Sequence, residues 1–288
     1  MTSPAEDQTP AVEAADITPE RRAGAGAWLS DPDFTPPGRV PWSELQEEFM
    51  SAWADPPWNK REHWEIIGPT GSGKTYLMET ALQERYRRNK TGAILVCTKE
   101  DDDMFREMGW PIVSSPGDIR DTNVIFWPRT SSKGSARKEF LRARIQLLLD
   151  QLWQPGADTI VAFDEVNFVE KLSGELRDTI QMYWREARSV HIQMIAMKQR
   201  PQGTQRDMHS ETMWTAVFKP LNRPDAEVFA ELLGAKRDWM PVLDGLDLDA
   251  HEFVIRHSRS QESYISWVDV PLRPQKIQRK GLLSMVSR

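Results

Sequence analysis

The sequence predicts an α/β fold: a central, mostly parallel sheet flanked by helices, closed by a C-terminal β-hairpin. Three observations predict it. Gly68-Pro69-Thr70-Gly71-Ser72-Gly73-Lys74-Thr75 fits the phosphate-loop pattern G-x-x-x-x-G-K-[ST] between a strand-like run, Trp64 to Ile67, and a helical run, Tyr76 to Lys90. Ala93 to Thr98 and Thr159 to Phe163 are continuous apolar runs of the kind that parallel sheets covered on both faces contain. Glu252 to Arg256 and Ser263 to Val268 alternate apolar with polar residues around a polar turn, as a hairpin does.

The chain has 288 residues, a formal net charge of −6 and a single cysteine. That length accommodates one large α/β domain with appendages, and such a domain needs no metal or disulfide staple. Cys97 has no internal partner and sits in a predicted buried strand, so it reads as a core thiol. The acidic total excludes a wholly basic nucleic-acid coat, but not a positive contacting face. No apolar run approaches a membrane span and the N-terminus lacks a signal pattern, so a soluble, cytoplasmic protein without membrane insertion is expected.

Residues 1–40 are rich in Ala, Pro, Glu and Asp and are expected to form a disordered tail. A domain is expected over 41–271, followed by a basic tail over 272–288 that is either solvated or in contact with DNA or an acidic partner. Ser43 is placed to cap a helix running to Trp53. Trp42, Trp53, Trp58 and Trp64 cluster before the first core strand, and packing is favoured over contact with a nucleotide base. Behind the phosphate loop the helix ends in Arg85, Arg87, Arg88 and Lys90, cations that suit a helix C-terminus. The acidic run Lys99 to Asp103 lacks calcium-loop spacing and reads as a solvated turn and helix start. Asn123 to Pro128 is a short strand. The basic loop Arg129 to Ser135 reads as solvated, or as a contact for DNA phosphates or a neighbouring subunit. Helices are expected over 136–153, 175–188 and from Pro224 to Gly234, with strands over 191–197 and 213–219, and the polar stretch 202–210 reads as a loop.

The residue types in the loop carry its chemistry. Gly68, Gly71 and Gly73 let backbone amides close on phosphate oxygens, with Pro69, Thr70 and Ser72 between them and Tyr76 just inside the helix. Lys74 is placed to reach the β- and γ-phosphates of ATP, and the Thr75 hydroxyl to ligate Mg²⁺. The apolar run Thr159 to Phe163 ends in Asp164-Glu165, a Walker B pattern. Its strand would bring Asp164 to the metal and Glu165 to the attacking water. Gln199, at the end of the strand beside it, is placed to sense the γ-phosphate.

Arg188 and, without a gap, Gln199-Arg200-Pro201 resemble the segment that FtsK/HerA-type ATPases carry after Walker B, where an arginine precedes a strand ending in Thr-Gln-Arg-Pro. Lys198 stands where that pattern has threonine. The resemblance spans roughly residues 62 to 270. It implies a RecA-like core in a homo-oligomeric ring, hexameric or pentameric, that couples Mg²⁺-dependent ATP hydrolysis to moving double-stranded DNA or protein. It also implies that Gln199 is the polar sensor and that Arg188 reaches a neighbour's nucleotide. The compact chain looks most like a viral genome-packaging ATPase or a plasmid-transfer motor, with a capsid portal or transfer machinery as partner, in the host cytoplasm or the virion. A nucleotide-switched binding or scaffold protein, not coupled to DNA, is the alternative reading.

Overall fold

The computed structural model describes residues 33–120, 123–200 and 206–268. Ten strands form one sheet in the order β1-β10-β9-β8-β2-β7-β6-β3-β5-β4. The parallel part is built from β2 (His63–Ile67), β3 (Gly92–Val96), β4 (Ile112–Val113), β5 (Asn123–Phe126), β6 (Thr159–Phe163), β7 (Ile192–Lys198) and β8 (Thr212–Phe218). β9 (Glu252–His257) joins β8 antiparallel and pairs with β10 (Ser263–Trp267) as the expected hairpin. β1 (Gly38–Arg39) runs parallel to β10 at the edge.

The side-chain period of two divides the strands between two layers. In β3, Ala93 and Leu95 face a core with α1 (Trp42–Trp53) and α2 (Lys74–Asn89), while Ile94 and Val96 face α4 (Gly134–Leu152) and α6 (Gly174–Glu186). A third cluster, under α8 (Arg223–Leu233) and α9 (Lys236–Asp244), packs Phe229, Leu233, Trp239 and Leu243 on Val217, Val254 and Ile265. Both faces of β2, β3, β6 and β7 are buried; β3 and β6 accordingly read as near-continuous apolar runs, while β2 and β7 also bury His63, Glu65, Gln193 and Lys198.

The tryptophan cluster is packing. Phe49 lies 4.9–5.4 Å, centroid to centroid, from the rings of Trp42, Trp53, Trp64 and Trp214. Trp58 stands apart and stacks on His191.

Several expectations are corrected. α1 begins at Trp42 with Pro41 at its N-cap, so Ser43 lies within the first turn and caps nothing. Arg85 is not a terminal surface cation. It is buried, hydrogen-bonded to Gln193 and seated 4.6 Å over the Trp53 ring, because the α2 face it occupies turns inward. The ordered chain also extends below residue 40: Arg39 pairs with Glu252 at 3.1 Å and fixes β1 on the hairpin, so the tail boundary falls inside the sheet. The helix expected over 175–188 closes at Glu186, and Arg188 lies in the 3₁₀ turn Ala187–Val190. The polar stretch 202–210 yields α7 (Arg206–Glu211), while residues 201–205 lie outside the described residues. The basic tail over 272–288 lies outside them too, as do residues 1–32. α3 (Asp103–Glu107) follows the expected helix start, whereas the short elements β1, β4, α5 (Val166–Glu170) and α9 lack enough periodicity to announce themselves. Among the described residues no helix is long and apolar enough to cross a membrane.

His63 opens β2 fully buried, its Nδ1 taking the Met194 N–H at 3.0 Å. Burial, reinforced by Arg188, pushes the ring from 6.5 down to about 3. The folded pKa lies below the unfolded one, so the unfolded chain binds the proton first as pH falls. This contribution to stability is complete above about 6.5 and declines toward about 3, by up to about 1.4 kcal/mol per pH unit. Urea midpoints between pH 6.5 and 4.5 are expected to fall more steeply for wild type than for His63→Asn, which keeps an acceptor for Met194 but cannot titrate. Parallel pH slopes would remove His63 as the cause.

Candidate active site

The loop between β2 and α2 hangs from the carboxyl edge of the sheet. Gly68 donates its N–H to the Lys198 carbonyl at 3.1 Å, which continues the β2–β7 ladder one residue past the strand. No side chain fits at Gly68, because a Cβ there would lie 2.6 Å from the Cβ of Phe218. Gly73, at φ +103, forms the left-handed N-cap from which Lys74 starts the helix. The 16-residue α2 therefore presents its unpaired N-terminal amides and the positive end of its dipole at the loop.

Lys74 donates from Nζ to the carbonyls of Gly68 and Pro69, both at 2.7 Å. Burial pulls its amine down to about 8, with Glu165 opposing and Lys99 adding to the fall. Asp164 follows β6, one strand over from the loop strand's neighbour β7. Its carboxylate accepts from the Thr98 N–H at 3.2 Å and the Thr98 hydroxyl at 3.0 Å. Burial raises it to about 6 despite those donors. Glu165 turns the chain into α5. Burial and then Asp164 raise it to about 7, while Lys74 and the Gln199 N–H pull it down. Its Oε2 is buried without a hydrogen-bond partner. An unpaired buried carboxylate oxygen is costly, and it is what a base awaiting a water proton would present.

A cavity of about 320 Å³ brings together Thr70, Gly71, Ser72, Gly73, Lys74, Thr75 and Tyr76 with Asp164 and Gln199. Gly68 and Pro69 stand behind it as acceptors for Lys74. The residues fit a triphosphate and Mg²⁺: amides and an ammonium for the phosphates, and a hydroxyl oxygen (Thr75) with a carboxylate (Asp164) for a hard cation that takes few protein ligands beside phosphate. Arg188 is not brought to this cavity. It precedes β7 whereas Gln199 follows it, and a seven-residue strand separates them by roughly 23 Å. Arg188 instead lies 4.0 Å from Glu211 and lines a separate cavity with Lys60 and Arg259.

Four lining residues escape sequence reasoning: Lys99, Asp102, Met104 and His251. Asp102 does cap α3, as the expected helix start implies, and it pairs with Lys99 at 2.6 Å. The run follows β3 directly, and a strand end at the carboxyl edge was the available signal. His251, at φ +54, reaches the Ser72 carbonyl at 3.2 Å from just before β9. No local pattern points to it.

Solved structures share this fold. The genome packaging NTPase of Sulfolobus turreted icosahedral virus 2, solved with AMPPCP, matches with a TM-score of 0.51 at 15% identity, over 71% of this chain and 96% of that one. The same NTPase with sulfate matches with 0.54 at 14% identity, over 73% and 97%. VirB4 of Thermoanaerobacter pseudethanolicus matches with 0.57 at 10% identity, over 76% and 92%. No family model and no curated protein matches the chain. At these identities the likeness is one of fold: the chain shares a helix-flanked, mostly parallel sheet with the packaging NTPase and VirB4.

Lys74→Ala removes the ammonium that the loop itself holds at the cavity. A charge-assisted hydrogen bond contributes about 1.5–3 kcal/mol, so affinity for a fluorescent ATP analogue is expected to fall about tenfold to a hundredfold. Unchanged affinity in a titration would remove the loop from the phosphate site.

Proposed function

We propose that this chain is an ATP-hydrolysing motor that moves double-stranded DNA, acting as a homo-oligomeric ring in genome packaging or DNA transfer. One observation carries the reading. Lys74, Thr75, Asp164 and Gln199 converge on a single cavity at the carboxyl edge of a parallel sheet, with Glu165 tied to it, in a fold shared with a genome packaging NTPase and VirB4.

In this reading the loop amides and the start of α2 hold the phosphates, and Lys74 exchanges the Gly68 and Pro69 carbonyls for β- and γ-oxygens. Thr75 and Asp164 would hold Mg²⁺, which would supply charge neutralisation on the phosphates. Glu165 accepts a proton from water as its oxygen attacks the γ-phosphorus. The bond from that phosphorus to the β–γ bridging oxygen breaks, giving ADP and phosphate. Gln199 reads the γ-phosphate through its side chain, while its N–H holds Glu165. Arg188, on the far side of the sheet from its own loop, suits action on a neighbour's nucleotide, which would make hydrolysis depend on ring assembly. A hexamer or pentamer is the expected ring. The domain that opens with β1 is its motor, and the chain before β1 and the tail over 272–288 are available to a portal or transfer partner. The host cytoplasm or the virion is its expected location.

Phosphate release by wild type and Glu165→Gln, with and without linear double-stranded DNA, tests this directly. DNA is expected to stimulate wild type, and Glu165→Gln to lower turnover by about two to three orders of magnitude while ATP still binds. Added salt should weaken the stimulation, because DNA phosphate contacts release counterions. Hydrolysis at one rate with or without DNA would sink the translocase reading in favour of a nucleotide-switched binding protein.

A further inference from the structure

Behind the nucleotide cavity lies a buried charged cluster that none of the steps above uses. Glu65 on β2 and Lys198 on β7 are both fully buried and form an ion pair at 2.6 Å. The second Glu65 oxygen takes His209 Nδ1, from α7, at 2.7 Å. Glu170, at the end of α5, completes the cluster with one buried oxygen that has no hydrogen-bond partner. Arg177 of α6 acts on Glu170 from further off. Burial alone would push Glu65 up, but Lys198 and His209 together hold it below the carboxylate range, while burial pulls Lys198 down against the pull of Glu65.

Desolvating two charges can cost more than their pairing regains, so a buried ion pair is weak evidence of a stabilising role. Its placement offers another account. Lys198 immediately precedes Gln199, whose N–H holds Glu165, and the Lys198 carbonyl accepts the Gly68 N–H that begins the phosphate loop. Glu65 lies three residues before that same Gly68. Asn167 of α5 grips the adjacent Arg200 carbonyl at 3.1 Å. The salt bridge therefore joins the strand feeding the loop to the strand ending in Gln199, and α5 holds the chain just beyond that strand. The fourth member comes from α7, a six-residue helix seated by buried Met208 and by the His209 bond.

We propose that Lys198 is a positioning residue for hydrolysis: its bond to Glu65 fixes the Gln199 end of β7 against the phosphate-loop strand, and the His209 bond makes that fixation depend on the seating of α7. The inference rests on the hydrolase reading above. It assigns Lys198, where the resembling pattern carries threonine, a task that a threonine cannot perform, since a hydroxyl cannot form an ion pair with Glu65. It also gives α7 a route to the reaction. Displacing α7 withdraws a donor from Glu65, the Lys198 pair rearranges, and the Gln199 N–H leaves Glu165. Movement of the chain around α7 thereby reaches the base without touching the nucleotide.

The test uses the full chain, steady-state phosphate release over a range of ATP concentrations, titration with a fluorescent ADP analogue, and thermal melting. The variants are His209→Ala, His209→Asn and the double variant Glu65→Gln with Lys198→Met. His209→Ala is expected to lower kcat by about tenfold or more while KM, analogue affinity and melting temperature stay near wild type. His209→Asn, whose amide restores a donor near the position of Nδ1, is expected to recover most of kcat. The double variant removes both charges of the pair together, so neither Glu65 nor Lys198 is left facing a lost partner. It is expected to fold and bind nucleotide yet share the kcat loss. An active wild type whose His209→Ala and double variants turn over at its own rate overturns this proposal alone, leaving the cluster as packing. A loss of affinity or melting temperature in proportion to kcat also overturns it. Absence of hydrolysis by wild type overturns the hydrolase reading, and this proposal with it.

Discussion

The parallel hydrogen-bonded register of β2, β7 and β6 is the constraint on which the rest of the structure depends. Ile67 lies opposite Lys198 on β7, and Phe163 lies opposite Ala196. From that alignment Gly68, Asp164 and Gln199 all emerge at one edge, within reach of one cavity. Slipping one strand by a single residue would turn its apolar side chains to the opposite layer, so two well-packed cores hold the register. The site gains its precision from side chains that never touch it.

That precision is obtained against local cost. Asp164, Glu165, Lys74, Glu65 and Lys198 are ionisable groups taken wholly or largely out of water at or behind the carboxyl edge. Burial works against the charged form of each, raising Asp164 and Glu165 and lowering Lys74 and Lys198. Leaving a buried polar atom without a partner costs about 1–3 kcal/mol. The apolar layers offset such terms: α1 alone seals Trp42, Phe49 and Trp53 against the sheet. Stability thus resides in the aromatic layer and reactivity at the strand ends, and the sheet is their common support.

The edges of the sheet show the same division. On one side β9, β10 and β1 cover β8, and the hairpin also delivers His251 to the phosphate loop. On the other, β4 has only two residues, a short edge that offers little to pair with another strand. The cavity that holds Arg188, Lys60 and Arg259 lies beyond the amino ends of the strands. The candidate nucleotide cavity and this mixed-charge cavity therefore lie at opposite ends of the strands.

The sequence by itself determined the α/β class, the phosphate loop, the Asp164-Glu165 strand end, the terminal hairpin and the place of Gln199. Each is local: a motif whose residue types are dictated by one turn or by one strand's periodicity. Only the tertiary structure decided that Arg85 is buried beneath Trp53, that His251 and Lys99 join the cavity, that Arg188 stands away from it, and that Lys198 finds Glu65 and His209. Those outcomes turn on which strands lie side by side. Glu65, Lys198 and His209 are far apart or differently aligned along the chain and meet because β2 was inserted between β8 and β7, a pairing that no local pattern encodes. The burial of a charge is set by neighbours distant in sequence, so its chemistry becomes legible when the sheet is assembled.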